Sequence, residues 1–553
     1  MLDTNQIIKE LLKKRGVCTD EDIAEFLSDK PKKTYNPSLL NDLEAGVDLI
    51  LEKAHSVAKI CIYGDYDADG ITATSLMLTI LGHLTDDKNL SYYIPSRFEE
   101  GYGLNMDAVR LIAERGTDLM ITVDCGSVSI DEAKLARELG MDIIVTDHHS
   151  ITDKMADCLL VNPKRPDSTY PFNGLCGCGV AFKLAQLIQK KAGLPKSVLT
   201  EVLDLVAIGT IGDIMPLLDE NRTLVKFGMK IVNSGRRYGL KKLIEGAGLK
   251  LGEISSENVG FVIVPHLNAS GRIEDASEAV ELMLAPEGSK KADAIVRDLL
   301  EKNRKRKALQ EETVDSCVKY LEEGNLSDFL LIKSLDAHEG IAGIAAGKIK
   351  DKYYRPTVIV TPSGENQEYL KGTGRSIEGV NLYELLKNHE ELFVRFGGHA
   401  AACGFLMPAE NFDELKNGLL DDMKAIRADR PEVFVKKYPV DLEIEPSDAS
   451  VKLCDELDLL APFGHDNPKP MFEMRDVDIC DVRYMGDHGQ HVRFRIFSHS
   501  GFGSGLTCVL FNTAKDVSDI LDYTQHAASI IGSLDAQVWQ GQKRLQLMVR
   551  HME

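Results

Sequence analysis

Between residues 58 and 217, short apolar runs alternate with longer stretches of helical spacing. Lys59–Tyr63 (KICIY) is strand-sized and runs into a Gly/Asp turn, after which Ile71–Leu84 has helical character. Leu119–Val123 (LMITV) is followed by a second turn and the helical stretch Asp131–Leu139. Asp142–Thr146 ends directly on Asp147, His148 and His149. This alternation predicts a parallel sheet covered by helices on both faces. Sheets of that kind bind ligands in the loops beyond the carboxyl ends of their strands. The chemically loaded residues of this region fall in those loops.

The remaining chain has a different texture on either side. Residues 1–57 open on a segment (MLDTNQIIKELLKKRGVCTDEDIAEFL) that reads as amphipathic helix. A highly charged helical stretch over about 285–323 looks like a spacer. Its run Lys302, Arg304, Lys305, Arg306 and Lys307 either meets nucleic acid or forms a solvated face with helical charge pairs. A second α/β unit follows, with strands such as DFLLIK and PTVIV. The last stretch offers FVKKYPVDLEI, FEMRDVDICDVRYM, HVRFRIFS, LTCVLFN and QKRLQLMVRH as strands. Five short strands with a helical insert fit a small OB-type β-barrel, a frequent binder of single strands. In it, Trp539, Phe494, Arg493, Arg495 and Lys543 are candidates to touch bases or backbone. The expected division is a helical segment 1–57, a catalytic α/β lobe 58–240, a helical connector 241–324, a second α/β lobe 325–430 and a barrel 431–553.

Composition changes this picture little. A length of 553 residues requires several cores, and 44% hydrophobic with 27% charged residues is ordinary for a globular chain. The opening residues lack the basic and apolar regions of a secretory signal, and no apolar run reaches bilayer length, so a cytoplasmic protein without a membrane partner is expected. Eleven scattered cysteines, with only Cys176 and Cys178 close together, suggest reduced thiols rather than a zinc or disulfide framework. The net charge of −21 by itself speaks against nucleic acid. Carboxylates gathered around cations would account for part of that charge.

Four loops carry the chemistry. Gly64-Asp65-Tyr66-Asp67-Ala68-Asp69-Gly70 places three acids at one strand end, where they repel unless cations intervene. Hard divalent ions favour such oxygen donors. A calcium loop would require Glu six residues after its glycine, where Leu76 stands. The plainer reading of this loop is a capped helix start. Asp124 ends the next strand, Asp147-His148-His149 the one after, and Asp213 sits in GDIMPL past a helical run. Each is modest alone; together, in one βα array, they point to a metal centre.

In order and spacing, GDYDADG, VDCG, TDHH and GDIMPL resemble the four motifs of the DHH phosphoesterase superfamily. The resemblance implies two Mn²⁺ or Mg²⁺ ions held by Asp67, Asp69, Asp124, His148 and Asp213, with Asp124 bridging. It makes Asp65 a further ligand or a water-orienting acid, turns His149 towards the phosphate, and has Asp147 position the histidines. Later, RFGGHAAACGF around His399 resembles the DHH-associated domain that closes over substrate. Arg97, Arg272 and Arg375 with Ser376 stand beside glycines, as clamps for an anionic group do. APFGHDNPKP is similar to a family Pro-Phe-Gly-x-Gly-Asn-Pro segment, with Asp466 in place of a glycine, and Lys348 stands where the family often has Arg. The whole pattern is similar to the branch of single-strand-specific 5′→3′ DNA exonucleases. That branch implies release of 5′-mononucleotides during DNA repair and recombination, with a DNA helicase and the single-strand-binding protein as partners. Two alternatives stand beside it: a DHH phosphodiesterase acting on oligoribonucleotides or cyclic dinucleotides, and an inactive single-strand-binding scaffold.

Overall fold

The computed structural model describes residues 4–96, 100–101, 103–151, 154–273, 275–363, 368–499, 505–512, 517–539 and 541–553. The chain divides into two compact units. One comprises Met1–Val264, Ala276–Asp293 and Tyr438–Glu553, the other Pro265–Asp275 and Ala294–Lys437.

The first unit holds a five-stranded parallel sheet of β1 (Ile60–Tyr63), β2 (Leu90–Tyr93), β3 (Leu119–Val123), β4 (Asp142–Thr146) and β5 (Leu159–Val161), in the order β2-β1-β3-β4-β5. Every residue of β1 and β3 is buried, as expected for strands covered on both faces. The order reverses at β1, so the crevice between the carboxyl ends of β1 and β3 is the topological switch point. The helix expected over Ile71–Leu84 runs from Ala68 to Leu81. It starts earlier because Asp67, in extended backbone, accepts from the amides of Asp69 and Gly70 and so caps it. The single N-terminal helix expected from periodicity is two, Thr4–Lys14 and Asp20–Leu27, parted around Gly16 at φ +75°.

The same unit contains the barrel: β11 (Leu442–Glu443), β12 (Phe472–Met485), β13 (His491–Ser498), β14 (Leu506–Leu510), β15 (His526–Trp539) and β16 (Gln542–Met552). The order β11-β12-β13-β14-β16-β15, with β15 also pairing β12, closes the sheet into an OB-type barrel. Two sequence expectations change here. FVKKYPVDLEI contributes only the two residues of β11, and the long β15 was absent from the expected strands. Ile7, Ile8, Leu11, Leu12 and Phe26 of the N-terminal helices share the barrel's core. Arg15 ties the two together by donating to Asn467 Oδ1 (2.9 Å) and to the Pro468 carbonyl (2.9 Å). Asp466 takes φ +57°, the left-handed region, which explains why a glycine suits this position and why Asp is tolerated there.

The second unit has a mixed sheet of β6 (Leu330–Lys333), β7 (Thr357–Pro362), β8 (Tyr369–Arg375), β9 (Arg395–His399) and β10 (Ala402–Pro408), in the order β6-β7-β8-β10-β9. The charged helix spans Lys290–Tyr320. Its basic run is largely occupied within the helix. Lys302 pairs with Asp298 (2.6 Å), Arg304 with Glu301 (2.5 Å), and the buried Arg306 donates to Asn303 and Gln310. Lys305 and Lys307 are exposed. Among the described residues, no helix is long and apolar enough to cross a membrane.

Candidate metal centre

The carboxyl ends of β1, β3 and β4 and the end of the helix Leu203–Gly212 bring the acids and histidines of the four motifs together. Asp65, Asp69, Asp124, Asp147 and His148 are all nearly inaccessible to solvent. Their ligand atoms form three overlapping groups: Asp65 with Asp67 and Asp124, Asp124 with His148 and His149, and Asp69 with His148 and Asp213. Within each group these atoms lie within 4.8 Å of one another. Asp124 and His148 each belong to two of the groups. His148 Nε2 lies 3.1 Å from Asp124 Oδ1, 3.3 Å from Asp213 Oδ2 and 3.9 Å from Asp69 Oδ2.

Neighbouring backbone fixes these side chains. Asp124 adopts left-handed backbone (φ +64°) at the tip of β3. Asp69 accepts from the amides of Gly177 (2.6 Å) and Cys178 (2.9 Å), the first residues of the helix Gly177–Lys191, whose dipole favours a carboxylate there. Asp147 accepts through Oδ1 from the amides of His148 (2.7 Å) and His149 (3.1 Å), and through Oδ2 from Ser127 (2.9 Å). His149 Nδ1 lies 2.8 Å from the same Oδ1. Asn162 steadies this corner by donating to Ser127 Oγ and the His149 carbonyl. Gly177, Cys178, Ser127 and Asn162 were not among the sequence candidates. The glycines of LCGCG just before a helical run were the available signal for the first two.

The electrostatics favour cations. Burial, reinforced by Asp69, Asp67, Asp65 and Asp213, raises the Asp124 carboxyl well above its ordinary range. Burial and the charges of Asp69 and Asp67 push Asp213 up to about 8. Asp67 is raised by burial and then by Asp69. Burial lowers His148 to about 4, leaving a neutral imidazole, the form that binds metal. Burial would raise Asp147, yet the hydrogen bond and charge of His149 outweigh it and hold this acid below the usual range. Burial opposes the His149 charge, but the bond to Asp147 prevails and raises its pKa. Crowded buried carboxylates beside a neutral imidazole fit hard divalent ions.

These shifts make the stability of the metal-free protein depend on pH. Raised folded-state values mean that it holds protons on Asp213 and Asp124 that the unfolded chain has released, and Asp67 is shifted in the same direction. That contribution is lost as pH rises towards about 8. His149 acts in the same sense, while His148 acts oppositely but only below its unfolded value of about 6.5. Between pH 6.5 and 8.5 the unfolding midpoint in EDTA should therefore fall, and the gap to the Mn²⁺-loaded protein should widen. A gap constant across that window would contradict the acid-cluster account.

In the second unit, Arg272 Nη1 donates to the Gly340 carbonyl (3.2 Å), in the first turn of the helix Glu339–Tyr353. Arg375 ends β8, and the tip of its guanidinium lies beside Gly343 of the same helix. Both arginines thus lie along the first two turns of one helix. Ser376 is buried, and its hydroxyl donates to the Val380 carbonyl (2.7 Å). His399 is exposed at the end of β9. Gly398 before it has φ +143°, and a Cβ there would lie 2.3 Å from the Ala402 carbonyl oxygen, so the glycine is required by the β9–β10 hairpin. Arg97 lies outside the described residues, as does the side chain of Trp539. Phe494, expected to meet bases, is instead fully buried in the barrel core, because its position in β13 faces inward. Arg495 lies over Phe497, and Lys543 pairs with Asp455 (2.5 Å).

Family comparisons define the class first. Residues 59–210 match the DHH family, N-terminal domain, 327–425 the DHHA1 domain, and 440–551 the RecJ OB domain. The chain is 38% identical over 551 residues to the single-stranded-DNA-specific exonuclease RecJ of Bacillus subtilis, covering 99% of this chain and 68% of that protein. The fold is similar to crystal structures of RecJ from Thermus thermophilus. The complex with Mn²⁺ gives a TM-score of 0.82 at 27% identity, covering 100% of this chain and 78% of that one. The complex with Mg²⁺ gives 0.77 at 26%, covering 100% and 77%. This chain belongs to the RecJ family.

Proposed function

We propose that this chain is a metal-dependent exonuclease that hydrolyses single-stranded DNA from its 5′ end and releases 5′-mononucleotides, in DNA repair and recombination. The observation that carries the reading is the largely buried cluster of Asp65, Asp67, Asp69, Asp124, His148 and Asp213 at the switch point of a parallel sheet. In this reading Asp67, Asp69, Asp124, His148 and Asp213 hold two Mn²⁺ or Mg²⁺ ions, with Asp124 shared between them. Two such ions, when bound, activate water and stabilise the leaving oxygen of a phosphodiester. Asp65 orients the attacking water or adds a ligand. Asp147 positions His149, which faces the phosphate, a role supported by the 2.8 Å contact between them.

The second lobe, taken as 325–430, grips the strand through Arg375, Ser376 and His399, with Arg272 from the connector 241–324 and Arg97 from the catalytic lobe 58–240. Two arginines along the first two turns of a helix form a site for a phosphate group. The barrel, 431–553, binds single strands further along, and the helices of 1–57 brace it. A DNA helicase that opens duplex and the single-strand-binding protein are the proposed partners, in the cytoplasm.

Linear and circular single-stranded DNA separate this reading from its rivals. The Mn²⁺-loaded chain should degrade the linear form and leave the circle intact; cleavage of the circle would exclude an end-dependent enzyme. Arg375→Ala should raise KM for single-stranded DNA at least about tenfold, the value of one charge-assisted hydrogen bond, with Mn²⁺ affinity unchanged. An unaltered KM would remove Arg375 from strand binding.

A further inference from the structure

We infer that the barrel carries a second metal site, in which Asp478, His499 and His526 bind a borderline transition ion such as Zn²⁺. Asp478 lies on β12, the strand flanked by β13 on one side and β15 on the other. His526 opens β15 directly opposite Asp478, and His499 follows the last residue of β13, its amide donating to the Asp476 carbonyl (3.2 Å). Three adjacent strands therefore deliver one donor each to the same point.

The donor atoms lie close enough to share an ion. His526 Nδ1 is 3.1 Å from Asp478 Oδ1, and His499 Nδ1 is 3.1 Å from Asp478 Oδ2. All three ligand atoms fall within 4.8 Å of one another. Donors at zinc bond lengths of about 2.1 Å in tetrahedral array stand about 3.4 Å apart, so small side-chain rotations suffice. Asp476 Oδ1, 3.3 Å from His526 Nε2, orients that ring from its far side, as carboxylates do for zinc-bound imidazoles. The His499 side chain is 64% exposed, which leaves an entry path and room for water as a fourth ligand.

The chemistry differs from that of the catalytic centre. Two imidazole nitrogens and one carboxylate select Zn²⁺, Co²⁺ or Ni²⁺, whereas the acid-rich cluster at the parallel sheet suits Mn²⁺ and Mg²⁺. A bound ion would clip the end of β13 and the start of β15 to β12 and so fasten the barrel. No residue of the proposed catalytic machinery takes part.

The test compares the full chain with a His499→Gln/His526→Gln variant. Both are stripped with EDTA, loaded with excess Mn²⁺, titrated with Zn²⁺, passed through gel filtration and assayed for metal content. The parent should retain one more zinc per chain than the variant, while the Mn²⁺-dependent rate on single-stranded DNA is equal in the two. Cobalt in place of zinc should give a visible absorption band that the variant lacks. Equal zinc content with no difference in the cobalt spectrum would overturn the proposal and leave the two rings as hydrogen-bonding partners of Asp478. Should the double variant fail to fold, His499→Gln alone, on an exposed turn, carries the same comparison.

Discussion

Asp124→Asn should lower the rate of single-strand degradation by about 10³-fold or more, with the fold intact. A divalent ion contributes several kcal/mol of transition-state stabilisation, and about 4 kcal/mol corresponds to three decades of rate. Asp124 is the carboxylate common to the group with Asp65 and Asp67 and the group with His148 and His149. Its loss therefore disturbs both proposed ions together. Asn is the informative replacement, because it tolerates the left-handed backbone at φ +64°, where Ala would add about 1 kcal/mol of strain. In the metal-free protein the neutral side chain should leave the unfolding midpoint equal or higher, since burial and four neighbouring acids disfavour the charge there. Single-turnover degradation and thermal melts in EDTA measure the two effects. A rate within tenfold of the parent would remove Asp124 from its shared position.

Gly177→Ala should also be severe, although this residue bears no functional group. A Cβ on Gly177 would lie 2.5 Å from both Cβ and Oδ1 of Asp124, which leaves it no room. The same residue's amide holds Asp69 at 2.6 Å. Relief requires Asp124 or the start of the helix Gly177–Lys191 to move. Overpacking of this kind costs about 1–3 kcal/mol, and a displacement of about 1 Å at a reacting centre costs about 10²-fold in rate. The expected result is a loss of about that size, together with a lower melting midpoint. Gly179→Ala serves as the control, because a Cβ there meets Leu175 at 3.3 Å, a flexible apolar neighbour. Parental activity in Gly177→Ala would show that the helix start does not constrain the acids.

The contrast between these two residues shows what a sequence carries openly. Asp124 was legible because a carboxylate at the end of a buried apolar run is a local signal. Gly177 was not, because its part depends on an amide that holds Asp69, 108 residues earlier in the chain, and on empty space beside Asp124. The parallel sheet was legible for the same local reason: β1 and β3 are buried throughout and so are largely apolar. In the barrel the local rule failed in both directions. HAASIIGSLDAQVW is diluted by Ala, Ser and Gly, and becomes the strand β15 only because β12 and β16 pair with it. FVKKYPV has strand-like residues but spans the change of unit at Lys437 and Tyr438 and joins none of the ladders among the described residues. Phe494 shows the matching limit for sites. An aromatic in a barrel strand faces the core or the strand according to register, which turns the side chain over with each residue. The basic run around Arg304 was ambiguous for a similar reason, since pairing along the helix and burial together decide which cations remain exposed.

The most direct test of the account is digestion of single-stranded DNA labelled at its 5′ or its 3′ end, with Mn²⁺, beside matched duplex, short RNA and cyclic dinucleotides. The account predicts immediate release of the 5′ label as a mononucleotide, late release of the 3′ label and an untouched duplex. Early release of the 3′ label, or turnover confined to short RNA or cyclic dinucleotides, would contradict it.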